Sequence, residues 1–306
     1  MSHIEVMGES LVDVVGGTAH PGGSPLNVAV GLARLGHEVH FSTEFGRDTY
    51  GNQIDEHLQN AGVKVIAGSV TERSTSVAQV EMDELSNAHY TFDIHQQIPA
   101  MQADDATELL HTGSIAAWIE PSSQCIVDAF MNASVHSLRS YDPNLRPDLV
   151  QEKDSAVERI EQLMSLSNIV KLSDVDGQWL YPELEAWEVL EHIASLGPGL
   201  VVMTQGADGC LALTSGRRID IEASPTTLVD TIGAGDAFMS GLLYGVLANP
   251  ELALALRSGT TADSKDVEVA LRHALTSAAL TVAQAGANPP WIEDFSLAIN
   301  NYASQH

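Results

Sequence analysis

The chain has 306 residues, 44% hydrophobic and 18% charged, which supplies apolar material for a large core and too little charge for a disordered chain. Against 41 Asp and Glu stand only 14 Lys and Arg, a formal net charge of −27. Polyanions and anionic membrane surfaces are bound by basic patches, so neither nucleic acid nor membrane is expected as a partner.

Arg34 is the first Lys or Arg, and Glu5, Glu9 and Asp13 break the N-terminal apolar stretch, so no secretion signal is read there. The longest nearly apolar tract, 237–248, is shorter than the roughly 18 residues of a membrane span. A cytoplasmic protein is expected, with Cys125 and Cys210 as buried structural thiols.

Residues 3–7 read as a first strand. Gly23-Ser24-Pro25 then opens a helix to about residue 35, with Ser24 as cap and Gly36 as stop. Leu26, Val28, Ala29, Val30, Leu32 and Ala33 cover nearly all its faces, which predicts burial. A strand at 38–43 and an amphipathic helix at 49–60, stopped by Gly62, follow. Residues 74–81 and 88–94 alternate around a polar turn at 84–87 and predict a hairpin. A hairpin does not fit a parallel crossover pattern, so it is expected to project as a lid or interface layer. Val77, Val80, Tyr90 and Phe92 would let two lids pair in a homodimer.

Strands near 109–112, 137–141, 169–172 and 200–204 then alternate with helices, the pattern of an α/β protein with a mostly parallel sheet, and beyond about 225 the chain reads as almost wholly helical. No linker divides it, so a single domain over 1–306 is expected.

Three segments could carry chemistry. Gly233-Ala234-Gly235-Asp236 leads into an apolar helix, where free N–H groups and the helix dipole favour an anion. Asp236 there could cap the helix or act as general base for an acceptor hydroxyl. Pro21-Gly22-Gly23-Ser24-Pro25-Leu26-Asn27 is a second glycine pair at a helix start, either a turn with a cap or a hydrogen-bonding surface for a small polyol. Asp142-Pro143-Asn144-Leu145-Arg146-Pro147 follows a strand at its carboxyl end, where open α/β sheets bind ligands, although Asp-Pro-Asn also makes an ordinary turn.

Together these segments resemble the ribokinase-like sugar kinases of the PfkB family over essentially the whole chain, with the fructokinase-like members nearest. The resemblance implies a three-layer α/β/α fold with a small β lid formed by about 10–20 and 72–98. It implies transfer of the γ-phosphoryl group of ATP, with Mg2+, to a primary hydroxyl of a small sugar. Fructose leads; ribose, 2-keto-3-deoxygluconate or a related polyol are alternatives, and a catalytically weak sugar-binding regulator is the reading of another class.

Carried over, Asp236 would be the base and Gly233, Ala234 and Gly235 the anion hole. Asp13, Gly22, Gly23, Asn27, Asn144 and Arg146 would face the sugar. Lys171, Ser173, Thr204, Gly206, Gly209 and Asn288 would face the nucleotide, with 278–288 contributing to an adenine pocket. Asp230 and the Ile232 carbonyl would hold a monovalent cation such as K+. Where many members carry Asn-x-x-Glu, this chain has Ser173-Asp174-Val175-Asp176. Ser173 and Asp176 could act on magnesium through water, or Ser173 could simply cap a helix.

No Gly-x-Ser-x-Gly elbow or Walker-type loop is present. The 12 His show no His-x-x-x-His spacing and the two Cys no Cys-x-x-Cys, so no zinc or His-metal site is expected from local pattern. Trp118, Trp179, Trp187 and Trp291 read as packing residues.

Overall fold

The computed structural model describes residues 2–82, 88–101 and 105–305; the expected turn at 84–87 lies outside them. The strands are β1 (His3–Met7), β2 (Leu11–Val15), β3 (Thr18–Gly22), β4 (Glu38–Ser42), β5 (Phe45–Gly46), β6 (Lys64–Val65), β7 (Val70–Thr71), β8 (Val77–Met82), β9 (Ala88–Asp93), β10 (Leu109–Gly113), β11 (Leu138–Asp142), β12 (Ile169–Ser173), β13 (Leu200–Thr204), β14 (Cys210–Thr214) and β15 (Arg217–Ile221). The helices are α1 (Ser24–Arg34), α2 (Thr49–Ala61), α3 (Ser114–Trp118), α4 (Ser122–Asn132), α5 (Lys153–Leu166), α6 (Asp174–Leu180), α7 (Ala186–Leu196), α8 (Ala234–Ala248), α9 (Pro250–Ser258), α10 (Ser264–Val282) and α11 (Ile292–Gln305).

The main sheet runs β15-β14-β13-β12-β11-β10-β1-β4-β6, with every pairing parallel except β13–β14 and β14–β15, so that β14 alone runs against the rest. That antiparallel edge hairpin was not read from the sequence. One core lies between the sheet and α1, α2, α8, α9 and α10; a second lies between its other face and α3 to α7. The architecture is α/β/α, as expected. The 142–147, 173–176 and 204–209 segments follow the carboxyl ends of the parallel strands β11, β12 and β13, where open α/β sheets bind ligands.

The lid is larger than a hairpin: β3-β2-β8-β9 form a four-stranded sheet in which β2 and β8 run parallel. Two carboxylates pin the chain where it enters this sheet. Glu44, buried, accepts from Thr71 Oγ1, Arg73 Nε and the Gln97 amide. Asp48 caps α2 through Gly51 and accepts from both the amide and hydroxyl of Thr75. Val77 is half-buried and pairs with Asp93, whereas Phe92 pairs with Ala78 and packs on the second core. Neighbouring pairs alternate between faces, so Val77 and Phe92 do not share the pairing face expected of them. Val80 and Tyr90 lie outside the described side chains.

Helix α8 sits close against two neighbours because their contact positions are glycine. A Cβ at Gly31 of α1 would lie 2.5 Å from Ser240 Oγ, and one at Gly241 2.7 Å from Ser277 Cβ of α10. This close approach brings the start of α8 over the start of α1. Among the described residues no single helix is long and apolar enough to cross a membrane; only α8 with α9, bent by 102°, passes on length and composition together, and α8 is largely buried. Cys210 is buried, its thiol pushed up to about 12 by burial with Asp220 adding, whereas Cys125 is half-buried rather than enclosed.

Candidate active site

Asp236, in the first turn of α8, does not cap its own helix. The N-cap is Gly233, with no side-chain cap. Asp236 Oδ1 accepts from Ser24 Oγ at 2.7 Å and from Asn144 Nδ2 at 3.4 Å, and Oδ2 accepts from Asn27 Nδ2 at 2.7 Å. Ser24, expected to cap α1, is therefore its first residue and spends its hydroxyl on Asp236; the α1 cap position is Gly23, at φ 110°. Burial raises the Asp236 pKa, opposed by the Asn27 and Ser24 hydrogen bonds and by the Lys171 and Arg146 charges. A carboxylate held ionisable, hydrogen-bonded and dry at a helix N-terminus is equipped to take a proton.

The amides of Gly235 and Asp236 begin α8 and have no carbonyl of an earlier turn to bind. Gly233 adopts φ 75°, and a Cβ there would lie 2.6 Å from Ala287 Cβ, so only glycine allows this approach to the 285–287 loop. Beside them a Cβ at Gly235 would sit 3.2 Å from Lys171 Nζ. Lys171 is buried on β12 and pairs with buried Asp142 at 2.8 Å. Burial pushes Asp142 up to about 6, with Lys171 opposing and Asp176 adding. Burial opposes the Lys171 charge, but Asp142, joined by Asp236 and Asp176, outweighs it and the ammonium pKa is raised. A fixed cation thus lies next to the first turn of α8 in a very acidic protein.

Ser173 and Asp176 form a capping box on α6: Ser173 Oγ accepts from the Asp176 amide, and Asp176 Oδ2 accepts from the Ser173 amide and hydroxyl. Asp176 Oδ1 accepts from the Leu145 amide at 2.9 Å, which fastens the Asn144–Arg146 loop to α6. The capping reading therefore holds geometrically. Ser173 is paired in register with Thr204 at the end of β13, whose turn continues through Gly206 (φ 57°) and Gly209 (φ 107°).

On the lid side, Asp13 lies over Gly22 of the neighbouring strand, where a Cβ would fall 2.2 Å from Asp13 Oδ2. Burial raises the Asp13 carboxyl; Arg146 and His20 oppose, and Asp236 adds. Exposed Arg146 folds back on Asn144, donating to Asn144 O and Oδ1 and to Leu145 O, and Asn144 takes φ 35°. Asp13, Gly22, Gly23, Asn27, Asn144, Arg146 and Asp236 are thus brought together. Glu9, not singled out as a site residue, is buried behind them, bonded to the Ala116 amide and raised by burial. A carboxylate directly after the first strand was the available signal for it.

Asp230 accepts from the Ile232 amide and, across the chain, from the Gly286 amide, and these bonds lower its pKa. It ties the 230–233 loop to the 285–287 loop. Asn288 Oδ1 accepts from Arg34 Nη1 and its Nδ2 donates to Gln284 Oε1.

The pfkB family carbohydrate kinase profile matches residues 3–294. The chain belongs to the PfkB family. Its PfkB relatives include a fructokinase of Salmonella typhimurium, 30% identical over 92% of this chain and 94% of that protein. A fructokinase of Klebsiella pneumoniae is 31% identical over 85% and 92%. Among solved structures, a fructokinase of Vibrio cholerae in fructose, ADP and potassium ion bound form matches with TM-score 0.79 and 28% identity over 94% of each chain. A fructokinase of Xylella fastidiosa, 23% identical, matches in fold with TM-score 0.84 over 98% of this chain and 99% of that one. This PfkB chain is a sugar kinase, a phosphotransferase acting on a sugar hydroxyl.

Proposed function

We propose that this kinase transfers the γ-phosphoryl group of ATP to a primary hydroxyl of fructose. The observation that carries the reading is the position of the Asp236 carboxylate, between the Ser24, Asn27 and Asn144 side chains and the first-turn amides of α8. Fructokinase relatives and the fructose and ADP of the Vibrio cholerae structure support this choice over ribose, 2-keto-3-deoxygluconate or a polyol.

Asp13, Asn27, Asn144 and Arg146, with the Gly22-Gly23 backbone, orient the sugar. Asp236 takes the proton of its hydroxyl as the oxygen forms a bond to the γ-phosphorus; the bond from that phosphorus to the bridging oxygen breaks, and ADP leaves with the electron pair. The amides of Gly235 and Asp236, with Gly233 and Ala234 shaping the turn and Lys171 beside it, stabilise charge on the transferring group. Lys171, Ser173, Thr204, Gly206 and Gly209 line the nucleotide side, and the lid sheet excludes water.

Mg2+ fits the acidic residues of this end. Asp142 Oδ1 has no hydrogen-bond partner among the described residues and Asp176 Oδ1 accepts a single amide, so both keep capacity for waters of a hydrated ion. Bound there, the ion would neutralise phosphate charge. K+ at Asp230 and the Ile232 carbonyl is supported by the link Asp230 makes to the 285–287 loop and by the potassium of the Vibrio cholerae protein.

The test is an ADP-release assay with Mg2+ and ATP over fructose, ribose, 2-keto-3-deoxygluconate, inositol and adenosine, with and without K+. Turnover selective for fructose and increased by K+ is expected; selective turnover of another compound overturns the fructose assignment.

A further inference from the structure

At the opposite end of the sheet, β1 and β4 carry His and Glu at alternate positions in opposite order. Register places His3 beside Glu38 and Glu5 beside His40 on one face. Ile4, Val6, Val39 and Phe41 point the other way into the first core. The two His and two Glu side chains are sheltered without being sealed, with 10% to 38% of each exposed.

Both imidazole Nε2 atoms are shielded from solvent, and neither makes a hydrogen bond among the described residues. His40 Nε2 lies 3.4 Å from Glu38 Oε1, and His3 Nε2 lies 3.8 Å from Glu5 Oε1, aligned as hydrogen bonds in neither case. Ligand atoms of His3, Glu38 and His40 all fall within 4.8 Å of one another. A tetrahedral Zn2+ with ligands at roughly 2.0–2.1 Å has ligand-to-ligand edges of about 3.4 Å, so small side-chain rotations close the set. Two imidazoles with carboxylates are donors suited to zinc and its neighbours rather than to magnesium.

We propose that His3, His40 and Glu38, with Glu5 beside them, form a binding site for a divalent transition metal of the zinc class that clamps β1 to β4. It lies at the amino ends of the parallel strands, away from the candidate active site. Lys64, paired in register with His40, closes its ammonium on Glu38 Oε1. That ammonium is a competing cation on a mostly exposed side chain, able to swing out when a metal binds.

The experiment is calorimetric titration of chelator-treated full-length protein with Zn2+, repeated with Co2+ while the visible absorption of a tetrahedral site is followed. Wild type should take up one Zn2+ per chain at this site. Loss of a residue that merely orients a ligand costs roughly 10- to 100-fold in affinity, so His40→Gln and His3→Gln should each weaken binding at least that much and remove the cobalt absorption. Lys64→Ala should tighten it. Circular dichroism melting of the metal-free His variants, expected to match wild type, separates ligand loss from misfolding. No uptake by wild type, or uptake equal to wild type in both His variants, overturns the site.

Discussion

Asp236 concentrates what this fold contributes to chemistry at the scale of one residue. As the proposed base it must be ionised to accept a proton, and burial holds its pKa above the ordinary carboxylate value. Activity should therefore fall as pH drops, and fall earlier than an unperturbed Asp would dictate; a kcat/KM profile against pH checks this. Asp236→Asn keeps the shape and loses the base, so kcat should drop by about 10²- to 10⁴-fold while sugar affinity, read by calorimetry, changes little. Lys171 is the other decisive side chain. Lys171→Met leaves Asp142 buried without its partner and should cost about 3 kcal/mol of stability near neutral pH. Asp142 can relieve part of that by protonation. A carboxyl raised from 3.8 to about 6 or beyond makes folding take up a proton, so the variant's stability declines as pH rises through that window. Urea unfolding at about pH 5 and about pH 8 should show the larger loss at the higher pH.

Between elements, the site depends on how closely α8 approaches α1 and the 285–287 loop. Gly31→Val places a methyl-bearing Cβ only 2.5 Å from Ser240 Oγ. Forced apart, the helices should lose about 1–3 kcal/mol and stretch the Asn27–Asp236 bond, lowering kcat as well as the urea midpoint. Arg34 works at the same level: from the end of α1 it donates to Asn288 Oδ1 and Pro289 O and stacks over Trp291. Arg34→Ala should loosen the loop that Asp230 and Gly233 hold, raising KM for ATP with a smaller effect on kcat. Steady-state kinetics with ATP as varied substrate distinguishes the two.

For the whole molecule, a net charge of −27 opposes compaction at low ionic strength. Salt shortens the range of that repulsion, so Tm should rise between about 0.01 M and about 0.15 M NaCl, and further in KCl if K+ binds the native chain at Asp230. K+ activation would show only with KCl in the kinase assay. The sheet order also carries distant motifs to one end of the fold: Asn27 and Asp236 meet across 209 positions of sequence, Asp230 and Gly286 across 56.

Strand alternation, the apolar helix at 24–34, the Gly62 stop and the two glycine turns are local properties of side-chain period and backbone freedom, so the sequence alone determined them. It also determined the chemistry available, carboxylates and few cations beside two glycine turns at helix starts. What tertiary structure decided were partnerships. Ser24 reads as a cap in one dimension because its nearest amides are its own helix's, yet Asp236 of α8 reaches it first. Asp176 reads as a metal contact or as a first-turn acidic residue behind a Ser173 cap, and the Leu145 amide decides how its carboxylate is shared. The edge hairpin at 210–221 and the second half of the lid depend on which strand lies beside which. His3 and His40 have no motif spacing at all; only strand register makes them neighbours, because sequence distance carries no information about which residues a parallel sheet sets side by side.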